Sequence, residues 1–186
     1  DAATMGNHDF DGGLDGFSNA LRFANFPFIC SNYNFENTIL QGKTIPYKIF
    51  RKGGIKIGVI GIGVELEGLV SKSLYQNTVY QNHIEKAQYY TDILKFEQQC
   101  NCIICLSHLG YTYANQIDDI DLAAQTNHIN LIIGGHTHTF MDKPTVHKNK
   151  DGKEVMINQV GWAGINLGKI EVFFHKGARN EYLALS

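Results

Sequence analysis

Two short apolar runs, Cys102 to Leu106 and Leu131 to Ile133, each break directly into a histidine-bearing loop: Ser107-His108 after the first, Gly134-Gly135-His136-Thr137-His138 after the second. The stretch Ile117 to Thr126 between them has a helical pattern. Strand, helix, strand is a βαβ unit, and its two strands lie parallel. Parallel strands deliver whatever follows their carboxyl ends to one rim of the sheet, so an α/β fold is required in which His108 and His136 can meet. A third run, Gly6-Asn7-His8-Asp9, adds an amide and another histidine. Neutral imidazole is the commonest metal ligand, and an amide oxygen suits a hard or borderline cation. With eight histidines in the chain one pair means little; the three runs together point to a metal site.

The remaining pattern surrounds that unit with further strands and helices. Leu14, Phe17, Leu21 and Ala24 recur at helical spacing and predict about three turns ended by Pro27. Phe28 to Cys30 reads as a short strand and Ser31 to Asn34 as a polar turn. Ile45 to Phe50 and Ile55 to Ile60 read as a hairpin around Arg51-Lys52-Gly53-Gly54. Asn82, with Glu85 three residues on, predicts the capped start of a helix running to Gln99. Thr145 to His147, Val155 to Val160 and Leu167 to Phe174 predict an antiparallel meander, with Gly177 to Ser186 a linker or a final strand. The three aspartates Asp118, Asp119 and Asp121 read as the acidic first turn of a helix.

Charge and length exclude several function classes. A net charge of -2 with scattered Lys and Arg offers no basic patch for nucleic acid, and no apolar run is long enough to span a membrane. At 186 residues and 44% hydrophobic content one domain with one core is expected. Cys100, Cys102 and Cys105 form a C-x-C-x-x-C cluster, and Cys30 stands apart. A zinc or redox role would need these thiols exposed; on a strand pattern they read as small apolar side chains. His83, His128, His147 and His175 lack a motif and read as surface or structural residues.

Asn7-His8 with Asp11, Leu106-Ser107-His108-Leu109-Gly110 and Gly135-His136-Thr137-His138-Thr139 closely resemble the calcineurin-like metallophosphoesterases, in particular the 5'-nucleotidase branch. Asn149 to Lys153, Ile157 to Trp162 and Leu167 to Glu171 look like that family's closing hairpin and strands, so the resemblance covers nearly the whole chain. It implies a β-sandwich flanked by helices and hydrolysis of nucleotide phosphate monoesters by hydroxide activated between two divalent metals, zinc, manganese or similar. It implies that Asn7, His108 and His136 are ligands of one metal and that His138 serves the other. His8 then resembles the catalytic histidine that protonates the leaving alkoxide, with Asp11 orienting its ring; an alternative for Asp11 is a helix cap. The resemblance also favours a periplasmic or extracellular location.

The family's opening Asp-x-His and Gly-Asp motifs, which bring the carboxylates, do not lie within residues 1–6. The chain is therefore expected to be residues 1–186 of a catalytic domain incomplete at its amino end, without the separate domain that grips the base. One amide and three imidazoles are neutral, so two divalent ions would face no compensating carboxylate; at most one weakly held ion and little turnover are expected of the chain alone. An unfinished sheet edge predicts self-association. Other readings are a non-catalytic half-domain or split-protein partner, a 2',3'-cyclic nucleotide phosphodiesterase, or a nucleotide-sugar hydrolase.

Overall fold

The computed structural model describes residues 1–114, 116–174 and the backbone of 182–185. In chain order the elements are α1 (Gly13–Ala20), β1 (Tyr33–Asn34), β2 (Tyr47–Lys52), β3 (Ile55–Ile62), α2 (Lys72–Tyr75), β4 (Val79–Tyr80), α3 (His83–Asp92), β5 (Cys102–Ser107), α4 (Asp119–Gln125), β6 (Leu131–Ile133), β7 (Thr145–Lys148), β8 (Glu154–Asn158), β9 (Glu171–Phe174) and β10 (Tyr182–Leu185). Six strands form the central sheet in the order β2-β3-β5-β6-β8-β7. Strands β3, β5, β6 and β8 run parallel, and β2 and β7 close the edges antiparallel. This is the expected mixed α/β architecture, a central sheet with flanking helices.

Strand alternation decides which side chains reach the helices. Ile60 and Ile62, Ile103 and Cys105, Ile132, and Val155 and Ile157 make one face and pack with Ala87 and Leu94 of the α3 region and Leu122 and Ala123 of α4. The alternate residues Ile104, Leu106, Ile133 and Met156 point the other way and stay partly exposed. A second cluster, including Met5, Phe10, Leu14, Phe17, Tyr33 and Leu66, seats α1 and the loop that carries Asn7. Ala3 bridges Phe28, and Thr4 donates through Oγ1 to the Ile29 carbonyl, so the first residues run along segment 27–29 toward the sheet's rim.

The hairpin is as expected, with strands extended to Lys52 and Ile55 and only Gly53-Gly54 left as the turn. Both glycines have positive φ, 57° and 82°, as a two-residue turn of this hand requires. The βαβ unit around α4 is also as expected, and Asn82 caps α3 by accepting the Glu85 N–H.

Five local expectations are corrected. Helix α1 stops at Ala20 and runs on as a 3-10 turn over Leu21–Phe23, because its apolar stripe ends there: Phe23 is almost fully exposed. Phe28 to Cys30 makes only isolated bridges, from Phe28 to Ala3 and from Ile29 to Ile45. Tyr33–Asn34, read as a turn, pairs with Val79–Tyr80 because the Tyr33 ring is buried and its hydroxyl donates to the Val64 carbonyl. Helix α3 gives way after Asp92 to a π-helical stretch, Ile93–Glu97, short of Gln99. The meander does not continue past β8: a strand has two hydrogen-bonding edges, and β8 uses them for β6 and β7, so β9 pairs with β10 instead. Of the expected tail, Tyr182–Leu185 is a strand; the rest of Gly177 to Ser186, and His175, lie outside the described residues.

Candidate metal centre

The register of the parallel strands builds the centre. Ile62 lies opposite Ser107, Leu106 opposite Ile133, and Ile133 opposite Asn158, so the next residues, Gly63, His108, Gly134 and Gln159, all leave the sheet at one rim. His108 and His136 meet there, with ring centroids 5.1 Å apart. Asn7, delivered by the amino-terminal segment, is almost fully buried between them. Its Oδ1 is 3.1 Å from His108 Nε2 and 3.2 Å from His136 Nδ1.

Three glycines are needed for this approach. A Cβ on Gly6 would lie 2.5 Å from the His108 ring, and one on Gly135 would lie 3.2 Å from His108 Nδ1. A Cβ on Gly134 would fall 2.3 Å from Asp119 Oδ2. The paired glycines before His136 therefore leave room for an imidazole and a carboxyl group that come from other segments.

The electrostatics favour neutral rings. Burial, followed by the nearby rings of His136, His8 and His138, holds the proton affinity of His108 down to a pKa of about 4. Burial, then His138 and His8, lowers that of His136 as well. Both rings therefore keep a lone pair at neutral pH. Donor atoms bound to one cation at about 2.1 Å lie about 3.0 to 3.4 Å apart, and the separations to Asn7 Oδ1 match. The Asn7 amide oxygen therefore lies from each imidazole nitrogen at a separation that a shared divalent ion would allow. Among the described residues no three His, Cys, Asp or Glu side chains form such a group by themselves.

His138 stands beside this trio with its ring stacked on Trp162, centroids 5.6 Å apart and planes 13° apart. His8 and Asp11 meet outside it: His8 Nδ1 is 2.9 Å from Asp11 Oδ2, with both side chains largely exposed. Asp11 does not cap α1, whose cap position is Gly12. His83 contacts the Tyr80 hydroxyl, His128 pairs with Asp92 and His147 lies on β7, none of them at the rim. The four cysteines are unpaired and buried, and burial raises every thiol pKa, so the zinc or redox reading of their cluster is withdrawn.

A family model described as calcineurin-like phosphoesterase matches residues 1–140. The chain belongs to the calcineurin-like phosphoesterase family. Within that family it is 30% identical over 191 residues to the snake venom 5'-nucleotidase of Gloydius brevicauda, covering 94% of this chain and 31% of the relative. It is 31% identical over 175 residues to the NAD 5'-nucleotidase of Haemophilus influenzae, covering 86% and 28% respectively. The crystal structure of a 5'-nucleotidase precursor from Thermus thermophilus superposes with a TM-score of 0.86 at 30% identity, over 98% of this chain and 38% of that one. The chain thus spans about a third of the length of these relatives.

Three features of the centre escaped the sequence reading. Asp119 stands in the first turn of α4 as expected, but its side chain is fully buried: its Oδ1 accepts from Ser107, and its N–H donates to the Gly110 carbonyl. The capping role belongs to Asp118 with Asp121. Burial, against the weaker opposing effect of the Ser107 hydrogen bond, pushes the Asp119 carboxyl up to about 7. Gln159 and Trp162 were part of a quoted motif without a role. Gln159 follows directly on a strand that ends at the histidine rim, a signal that could have found it.

Proposed function

We propose that this chain carries part of the active site of a metal-dependent phosphoesterase of the 5'-nucleotidase type, acting on nucleotide phosphate monoesters. The observation that carries the proposal is the convergence of Asn7 Oδ1, His108 Nε2 and His136 Nδ1 at coordination-edge separations, with both imidazoles biased to the neutral form. These three residues would hold one divalent cation, and His138 would contribute to a second. Such cations supply positive charge to a phosphoryl oxygen and acidify water for attack on phosphorus.

The chain's own residues supply the other half of the reaction. Asp11 accepts the Nδ1–H of His8 and so fixes the ring's orientation. The proton available to a departing alkoxide is then the Nε2–H of the imidazolium, facing solvent where a substrate would lie. His8 is close enough to act electrostatically on both His108 and His136, so a phosphate held there would lie near the proton donor.

The neutral donor set also limits the chain in isolation. We propose that residues 1–186 hold at most one ion, weakly, and turn over little substrate, the complete domain's carboxylates being needed for a dinuclear centre. Location outside the cytoplasm follows the venom relative; no helix among the described residues is long and apolar enough to cross a membrane. The exposed Ile133, Val146 on edge strand β7, Phe140 and Ile165 support self-association along that side of the sheet.

Metal analysis of the purified chain, together with phosphate release from AMP under added manganese or zinc, tests the reading. At most one ion per chain, lost in His108→Ala, is expected, with turnover barely above background. Two tightly held ions and rapid turnover would overturn the limit placed on the isolated chain. Metal binding indifferent to His108 would overturn the centre itself.

A further inference from the structure

The loop that carries His136 and His138 is held in an unfavourable backbone shape. Both histidines have positive φ, 74° and 55°, a region that side chains with a Cβ rarely occupy. The Thr137 N–H donates to the Gly135 carbonyl across His136, a three-residue turn of the strained hand. Such geometry persists only where its surroundings over-determine it.

Those surroundings converge on one buried side chain. Gln159, 1% exposed, donates through Nε2 to the Gly135 carbonyl at 2.7 Å. Its Oε1 accepts the Thr139 N–H at 2.6 Å and the Thr137 hydroxyl at 3.2 Å. The three bonds fall on residues 135, 137 and 139, the positions that alternate with His136 and His138. Thr137 carries the brace onward: its Oγ1 accepts the Tyr111 N–H at 2.8 Å, and its methyl group is 2.5 Å from where a Cβ on Gly110 would stand. Gly110 in turn accepts the Asp119 N–H, and Asp119 accepts from Ser107, next to His108.

We infer that Gln159, acting through Thr137, is the positioning residue of the centre, locking the His136–His138 loop and tying it to the His108 loop so that the imidazoles are set before a cation arrives. It touches neither cation nor substrate. The inference rests on the reading of the centre as a cation site, and it reaches His138 independently of metal because Trp162, stacked on that ring, is the chain's single tryptophan.

The test uses the whole chain with Gln159→Met and Thr137→Val, which keep size and remove the bonds, and Thr137→Ser, which keeps the hydroxyl. Asn32→Ala removes a buried amide network with Gly63 and serves as the control for general destabilisation. At a temperature where every variant is folded by circular dichroism, Mn²⁺ affinity and Trp162 emission are read. Loss of a supporting partner of a ligand typically costs about ten- to a hundredfold in metal affinity. That loss is expected for Gln159→Met and Thr137→Val, with Trp162 emission shifted toward that of His138→Ala. Thr137→Ser and Asn32→Ala should match the wild type.

If the wild type binds Mn²⁺ and the two variants match it in affinity and emission, the bracing role is overturned while the centre stands. If the wild type binds no Mn²⁺, the cation reading fails, and emission alone decides: a shift in both variants with rescue by Thr137→Ser supports the brace, and unchanged emission overturns it. A variant that does not fold is replaced by Gln159→Glu, which keeps the acceptor bonds and loses the donor to Gly135; an unchanged Trp162 emission there would also count against the inference.

Discussion

Asn7 and His8 are neighbours in sequence and opposites in structure. The Asn7 side chain is buried, fixed between two imidazoles from strands a hundred and more residues away. The His8 side chain is 77% exposed and pairs through Nδ1 with Asp11, three residues on. The difference follows from what each position is asked to do. A cation site needs donors set before binding, because any ordering left to the ion is subtracted from its affinity. A group that hands a proton to a departing alkoxide must meet the substrate and return to solvent, so it sits at the surface with only its ring orientation controlled.

The sharpest way to break the contrast is to remove a donor from the buried side. His108→Ala should abolish divalent-ion binding, read by calorimetry, whereas His8→Ala should leave ion affinity at the wild-type value. Next in size is Gly6→Ala: the added methyl would stand 2.5 Å from the His108 ring, and overpacking of this kind costs about 1 to 3 kcal/mol. Denaturant melts should show that loss, and Mn²⁺ affinity should fall with it.

Asp119 adds a pH signature to the buried side. The unfolded chain releases this proton near 3.8, whereas the folded chain keeps it to about 7. Between those values the folded state holds the additional proton, so this carboxyl's contribution to stability falls as pH rises from about 4 to 7, against the opposite trend from the lowered proton affinities of His108 and His136. Asp119→Asn should remove this contribution, so that its stability relative to the wild type grows as pH rises from about 4 to 7, as measured by urea melts across pH. A difference between the wild-type and Asp119→Asn profiles that stays constant over this interval would contradict the assignment. The smallest effect belongs to the exposed side: Asp11→Asn should change stability by no more than about 0.5 kcal/mol and leave ion affinity untouched.

The same contrast explains what could be read in the chain. The βαβ unit, the Gly53-Gly54 hairpin and the histidine loops were legible because each rests on a local pattern, an apolar run broken by turn residues. The meeting of His108 and His136 followed from topology, since parallel strands share a rim, whereas Asn7 was joined to them only by the family resemblance. The roles of Asp119 and Gln159 were hidden because they arise from burial, and an aspartate at a helix start looks the same in sequence whether its carboxyl meets water or Ser107. The fate of β9 was hidden for a similar reason: its strand pattern does not show that β8 has already spent both edges on β6 and β7. Tyr33–Asn34 became a strand through a long-range partner, Val79–Tyr80, that no local signal announces.

Anomalous diffraction from crystals of the chain grown with zinc would show directly whether the buried trio holds a cation. One peak is expected, at partial or full occupancy, coordinated by Asn7 Oδ1, His108 Nε2 and His136 Nδ1, with Gly6 and Gly135 packed against the His108 ring as described above. A peak at the cysteine cluster with this trio empty, or two fully occupied ions bridged at the rim, would contradict the assignment of the centre.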